Sequence, residues 1–149
     1  YGPEIHDRTR KLITAAGLPM AEHIESLPNS MKALKLSELA RERGVHDKLH
    51  GPLFRAYWAE GRDIGDEAVL LELAASAGIE EADARAAFAS EELATQVREW
   101  TQGAVELGAG GVPAWLVDER LLVPGAQPEE VFDRVMEQLG HEPLQSDAA

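Results

Sequence analysis

Over the first two-thirds of the chain apolar residues recur at a spacing near 3.6, Ala and Leu are frequent, and glycines stand where helices should stop. A first segment, about Glu4–Ala16, ends at Gly17-Leu18-Pro19. A second begins after Pro28 with Asn29 or Ser30 as N-cap. Its apolar face is Met31, Leu34, Leu36, Leu39 and Ala40, and it stops at Gly44 with Arg41 and Arg43 in the last turn, where cations suit the dipole. A third helix is expected from about Asp47 to Glu60, carrying Leu49, Leu53, Phe54, Tyr57 and Trp58. Pro52 must then lie in or near its first turn, or kink it. Gly61–Gly65 is a turn, and Asp66 caps a helix running through Val69, Leu70, Leu73, Ala74 and Ala77 to Gly78. Two more helices follow, about Glu81–Ala89 and Glu91–Leu107.

The texture then changes. Gly108-Ala109-Gly110-Gly111 breaks the helical pattern. Ala114–Val117 and Leu121–Val123 are short apolar runs about Asp118-Glu119-Arg120, which predicts a β-hairpin. Pro128 fits N1 of a last helix with Glu129 and Glu130 in its first turn. The stripe of that helix is Val131, Phe132, Val135, Met136 and Leu139, and Gly140 ends it; the tail His141–Ala149 is polar and expected to fray. A lone hairpin with one helix is not a stable sheet. Either helices cover it, or strands come from elsewhere. The order helices–β–β–α reads as the back half of an α/β fold.

Composition sharpens this. The 149 residues suit one domain, or one with an insertion. There is no cysteine, which excludes a disulfide scaffold, a Cys-ligated metal and any thiol chemistry carried by these residues alone. Lys and Arg number 14 against 27 Asp and Glu, a net charge of −13. Residues 1–65 are nearly balanced, with 10 basic and 9 acidic, so residues 66–149 hold 4 and 18. Such a surface repels phosphate backbones, so nucleic acid is not an expected partner. No apolar run reaches the roughly 18 residues of a membrane span, and no signal-peptide pattern opens the chain. A start at Tyr1, inside a helical pattern, reads as a cut or processed polypeptide.

Candidate chemistry is sparse. His46-Asp47-Lys48-Leu49-His50 puts two histidines at i, i+4, a zinc spacing, but Asp47 stands where a zincin has Glu, and no third ligand is evident. Glu80-Glu81 and Glu91-Glu92 are helix-start acids. The Gly108–Gly111 run lacks a following Lys-Ser/Thr and precedes a strand, so it is no phosphate loop. No serine has a nucleophile-elbow context. Trp58, Trp100 and Trp115 read as core or interface aromatics. Gly111-Val112-Pro113 stands out, because a Pro opening a strand need not donate to the ladder.

The run Gly110-Gly111-Val112-Pro113-Ala114-Trp115-Leu116-Val117-Asp118, then Leu121-Leu122-Val123-Pro124-Gly125-Ala126-Gln127-Pro128-Glu129-Glu130-Val131, resembles the C-terminal part of DsbA-family thioredoxin-fold proteins, most closely the FrnE-like branch. The middle is similar to that branch's helical insertion, through Leu27–Ser30, Leu49-His50, Leu53–Trp58 and Gly61–Asp66. The resemblance covers roughly Gly17 to Leu139. It implies a thioredoxin domain interrupted by helices: residues 1–27 a linker helix, 28–107 the helical insertion, 108–140 the closing β-β-α, and 141–149 a flexible tail. It implies that Gly111, Val112 and Pro113 form the cis-Pro loop that binds substrate. It also implies a Cys-x-x-Cys helix and two strands ahead of the insertion, which this chain departs from, having no cysteine.

The fold class expected is therefore α/β but mostly helical. The function implied is thiol–disulfide oxidoreductase, with these residues a fragment that is inactive alone. A glutathione-dependent isomerase or transferase relative on the same fold is the alternative, although its final helix is approached by a different motif from Gly125-Ala126-Gln127-Pro128. A non-catalytic helical interaction module is the third. No catalytic residue, metal or cofactor is expected in the chain. The partner is a thiol or disulfide substrate, with no nucleic acid and no membrane; a homo-oligomer is left open, and the location is cytoplasmic.

Overall fold

The computed structural model describes residues 3–22, 24 and 27–141, with side chains from Thr9 onward. In chain order it holds α1 (Pro3–Ala15), α2 (Met31–Glu42), α3 (His46–Phe54), a π-helical turn (Arg55–Ala59), α4 (Glu67–Ser76), α5 (Glu81–Ala89), α6 (Glu91–Glu106), β1 (Ala114–Val117), β2 (Leu121–Pro124) and α7 (Glu129–Leu139). The chain divides into two compact units, Tyr1–Val97 and Arg98–Ala149.

The first unit is built on leucines and alanines. Leu36 of α2, Leu49 of α3 and Leu70 of α4 are fully enclosed. Ala40, Ala74 and Ala84 pack in the same cluster with Leu53, Leu73, Ile79 and Phe88. Each leucine so enclosed contributes on the order of 1.5–3 kcal/mol, and the alanines leave room for close helix approach. Two positions depart from the expected face of α2: Leu34 is exposed, whereas Lys35 is buried at 5%. The Lys35 Nζ donates to the Phe88 carbonyl at 2.9 Å. That places a cation on an orphan carbonyl at the C-terminal end of α5.

The caps follow local chemistry. Asp66 is extended and accepts the Ala68 N–H at 2.7 Å. Of Asn29 and Ser30, it is Asn29 that acts at the start of α2, its Oδ1 accepting the Met31 N–H at 3.1 Å; Ser30 is already helical and makes no side-chain cap. Arg41 pairs with Glu38, and Arg43 with Asp83 of α5 at 2.6 Å. Gly65 is held where a Cβ would meet Asp63 Oδ1 at 3.0 Å and the Asn29 carbonyl at 3.2 Å, so a side chain there would push the turn apart.

The third helix differs from the expectation. Pro52 lies inside α3, not in its first turn, and the helix gives way after Phe54 to the π-helical turn. Proline removes one rung, and the wider turn leaves the Trp58 carbonyl to accept the Ala21 N–H at 2.7 Å. Arg10 donates to the carbonyls of Ala21 and Glu22, fixing the segment after α1. Burial raises the pKa of the Tyr57 phenol.

In the second unit β1 and β2 are antiparallel, in the register Ala114↔Pro124 to Val117↔Leu121. Strand β2 extends one residue beyond the expected run, to Pro124. Pro128 is the N-cap of α7, not its N1 residue: its extended backbone (ψ 157) keeps it outside the helix. Gly140, at φ 85, closes α7 with the His141 N–H on the Met136 carbonyl at 2.9 Å, a left-handed stop that a Cβ would oppose. Of the tail expected to fray, all beyond His141 lies outside the described residues.

Candidate functional site

The Gly108–Gly111 run leads from α6 into the hairpin and leaves Val112 as the most exposed large apolar residue among those described, at 92%. The Val112–Pro113 peptide bond is cis. The Pro113 carbonyl accepts the Gly125 N–H at 2.8 Å, one rung beyond β1. That bond fixes the parity of the ladder, because in an antiparallel pair hydrogen-bonded and non-bonded positions alternate. Trp115 and Val117 therefore direct their backbone groups at β2, while Ala114 and Leu116 direct theirs away from it. No backbone partner for the Val112 N–H or carbonyl occurs among the described residues. On the outer side of β2, Pro124 has no N–H to offer. Strand β1 is thus the edge better equipped to pair.

The faces divide in the same alternation. Trp115 meets Phe132 of α7 edge-on, with centroids 5.7 Å apart, and Val123 and Val135 are buried. They are the only buried side chains of Arg98–Ala149 among the described residues. Leu116 stays 43% exposed and Trp115 50%. Between them the strands turn through Asp118 and Glu119, both left-handed at φ 52 and 54, with the Arg120 N–H on the Val117 carbonyl. Glycine, Asn and Asp suit such positions; Glu119 does not. Asp118 Oδ2 lies 2.6 Å from Nε2 of His141.

The surroundings are acidic. From residue 99 to 133 the one cation is Arg120, against Glu99, Glu106, Asp118, Glu119, Glu129, Glu130 and Asp133. Glu129 and Glu130 open α7, three and four residues from Ala126, and Gln127 Nε2 folds back onto the Pro124 carbonyl at 2.6 Å. The run is the local part of the acidic excess that the sequence shows over residues 66–149, and it carries no motif.

The other candidates are placed apart. The rings of His46 and His50 lie tilted to one another with centroids 5.0 Å apart, and His50 meets Phe54 in the same way at 4.6 Å, along one side of α3. Asp47 Oδ1 is 3.7 Å from His46 Nδ1, and no group of three or more potential ligands forms among the described residues. Glu81, Glu91 and Glu92 occupy first helical turns as expected. A shallow cavity of about 180 Å³ is lined by Lys32, Glu67, Arg85, Phe88 and Ala89. Its charges are paired with one another: Lys32 Nζ and Arg85 Nη1 share the Glu67 carboxylate, at 2.6 and 3.4 Å. None of the described helices is long and apolar enough to cross a membrane.

Comparison with known proteins gives a consistent picture. The family model of the DSBA-like thioredoxin domain matches residues 2–137. The crystal structure of a probable DsbA oxidoreductase from Streptomyces coelicolor superposes with a TM-score of 0.80 at 33% identity, over 93% of this chain and 61% of that one. This chain thus spans about three-fifths of that protein's length. A candidate protein disulfide isomerase from Nitrosomonas europaea shares the fold, with a TM-score of 0.71 at 20% identity, over 93% of this chain and 74% of the other. No curated protein sequence matches the chain.

Proposed function

The chain belongs to the DSBA-like thioredoxin domain family, and on that premise we propose that it is the helical and substrate-docking portion of a thiol–disulfide oxidoreductase of the FrnE-like branch. The redox pair is then a Cys-x-x-Cys outside residues 1–149, which contain no cysteine. The observation that carries this reading is the state of β1. Among the described residues its outer edge, at Ala114 and Leu116, and the backbone of Val112 have no backbone partner, and the unit they belong to encloses only Val123 and Val135. A further strand on that edge completes the sheet, and the helix that follows such a strand brings its N-terminus toward Val112.

The chemistry is exchange. A thiolate, stabilised by helix N–H groups, attacks one sulfur of a substrate disulfide; the S–S bond breaks and the second sulfur leaves with the electron pair. A second thiolate of the enzyme then attacks the mixed disulfide, releasing the substrate as a dithiol while the enzyme pair is oxidised. Gly111, Val112 and Pro113 hold the substrate strand, Val112 through its N–H and carbonyl. Residues 1–27 serve as the linking helix, 28–107 as the helical insertion and 108–140 as the closing β-β-α. No resident cofactor enters this cycle.

The test is a polypeptide in which a thioredoxin-type strand, Cys-x-x-Cys helix and strand precede residue 1. It should reduce insulin disulfides with dithiothreitol as electron source. Val112→Pro, which deletes the docking N–H, should lower that rate about tenfold, the worth of one good hydrogen bond. A folded assembly with two titratable thiols and no exchange activity would overturn the reading. So would saturable glutathione binding by residues 1–149 alone, which belongs to the glutathione-dependent alternative.

A further inference from the structure

We propose that His46 and His50 of α3 form a chelating pair for one borderline divalent cation, Cu2+ ahead of Zn2+ or Ni2+, held by two imidazoles with water in its remaining positions. The proposal stands apart from the thiol exchange above and uses none of its residues. Two histidines at i, i+4 serve one metal only where the helix between them is continuous. In the structure α3 runs from His46 to Phe54 without a break, so both histidines share one face. Leu49, between them, is fully enclosed, and Leu53 is buried as well. The core thus fixes the helix that carries the pair, and the spacing of the two side chains is set before a metal arrives. His46 is half-buried and His50 exposed, so a cation reaches both from solvent.

The ring centroids are 5.0 Å apart and the planes are tilted by 32°. A metal–nitrogen bond is about 2.0–2.1 Å and the ring centre lies about 1.1 Å behind the nitrogen, so two imidazoles meeting at about 90–110° on one metal have centroids about 4.5–5.2 Å apart. The observed spacing falls inside that window. Turning the rings about their side-chain bonds then aims one nitrogen of each at a common point, with no movement of the helix. Among the described residues neither ring enters a hydrogen bond, so no protein bond has to break. Asp47 Oδ1 stands 3.7 Å from His46 Nδ1. That gives Nδ1 of His46 to the carboxylate side and leaves Nε2 as the ligand, the arrangement in which an outer carboxylate orients a metal-binding histidine. Phe54 flanks His50 on its other side, with ring centroids 4.6 Å apart, and limits how far His50 can swing. Lys48 is two residues from each histidine and so faces away from the pair. The net charge of −13 raises the local concentration of any cation. With two protein ligands the site is open, unlike a closed four-ligand structural centre, and imidazole pairs take Cu2+ ahead of Zn2+ and Ni2+ in the general affinity order.

The experiment is a calorimetric titration of residues 1–149 with Cu2+ in a non-coordinating buffer, beside the variants H46Q and H50Q. Glutamine is a good helix former and both positions reach solvent, so circular dichroism should show each variant with its helix content intact. The native chain should bind one Cu2+ at least tenfold more tightly than either variant, and the two variants should lose alike. Electron paramagnetic resonance should find two imidazole nitrogens on the metal in the native chain and one in each variant. Because the folded helix holds the pair in place and the unfolded chain does not, Cu2+ should also raise the urea midpoint of the native chain and leave those of the variants nearly where they were. Equal affinity of the native chain, H46Q and H50Q would overturn the proposal, placing the metal elsewhere on the chain. Loss of binding in one variant alone would overturn the chelate and leave a single-histidine contact, as would one nitrogen in the native spectrum. Absence of binding at millimolar Cu2+ would overturn the site outright.

Discussion

Lys35 offers a sharp test of how the helical unit is held together. Its side chain is 95% enclosed, yet it ends in an ammonium whose bond, 2.9 Å long, goes to the Phe88 carbonyl, itself on a buried residue. Two contributions can be separated by substitution. Lys35→Met keeps an unbranched apolar stem of similar length and removes the donor. The loss is a charge-assisted hydrogen bond, and the Phe88 carbonyl is left without its partner, so the expected cost is about 1.5–3 kcal/mol. Lys35→Ala removes the donor and also three methylenes of stem, at about 0.8 kcal/mol each, so it should cost roughly 2.4 kcal/mol more. With an m-value of about 1–3 kcal/mol/M in urea, the midpoint for Met should fall by about 1 M and that for Ala by about twice as much, at unchanged m. Far-UV circular dichroism follows the helices of this unit through the transition. A Met variant as stable as the native chain would refute the claim that the cation on the end of α5 stabilises the fold. It would mean that freeing a buried ammonium from its desolvation offsets the lost bond. Equal costs for Met and Ala would refute the packing of the stem.

Asp66→Ala should cost about 1 kcal/mol through loss of the bond to the Ala68 N–H, while Asp66→Asn should cost a few tenths; urea melts distinguish them. Glu119→Gly should raise the stability of the hairpin by about 0.5–1 kcal/mol, since the left-handed backbone at φ 54 disfavours a Cβ; protection of the Val117 and Leu121 amides against exchange reports it. Acid should loosen the helical unit. Hydrogen bonds from Lys32 and Arg62 hold Glu67 and Glu72 below the ordinary carboxylate value of 4.5, and Arg43 does the same to Asp83 below 3.8. Each folded pKa is depressed, so each contribution is fully present above these values and is lost as pH falls through the lower folded ones. A thermal-melt series from pH 6 downward should therefore decline from about pH 4.5, and Glu72→Gln should flatten part of that slope, the more so at low salt.

What the sequence made legible was local. Asp66 ahead of an apolar helix, Gly140 behind one, and two β-prone runs about Asp118–Arg120 each carry their own conformational reason, and each element formed within a residue or two of its expected place. What stayed hidden depends on distant partners. Periodicity put Leu34 on the inner face of α2 and said nothing for Lys35; only the end of α5, 53 residues on, supplies the carbonyl that lets a lysine be buried. Pro52 marked a disturbance but not its form. A proline is read as a start or a kink, and the π-helical turn that follows it is tied to Ala21, well outside any local window. The Val112–Pro113 loop stood out through its motif, whereas the charge count gave only the acidic excess of residues 66–149 and not its place near the hairpin, because Glu106, Asp118 and Glu129 are far apart in sequence.

The two units differ in how much of their stability they contain, and this bears on why docking and redox chemistry would belong together. Tyr1–Val97 closes a core from four helices around Leu36, Leu49 and Leu70. Arg98–Ala149 encloses Val123 and Val135 and leaves Trp115 and Leu116 half in water, less than a two-stranded ribbon needs to stand alone. Added at the Ala114–Leu116 edge, a strand would satisfy four backbone groups and cover about half the surface of Leu116, a gain of order 1–2 kcal/mol in apolar burial alone. On the proposed reading that strand leads into the helix bearing the cysteines, so the element that completes the sheet also delivers the thiolate to Val112. The edge then has two claimants, a structural strand along Ala114 and Leu116 and a substrate strand at Val112. They can coexist only if the first pairs along β1 and the second beyond its start. Amide exchange of the longer polypeptide should then show Ala114 and Leu116 protected without substrate and Val112 protected only with it. Protection of all three without substrate would mean that the docking position is already filled.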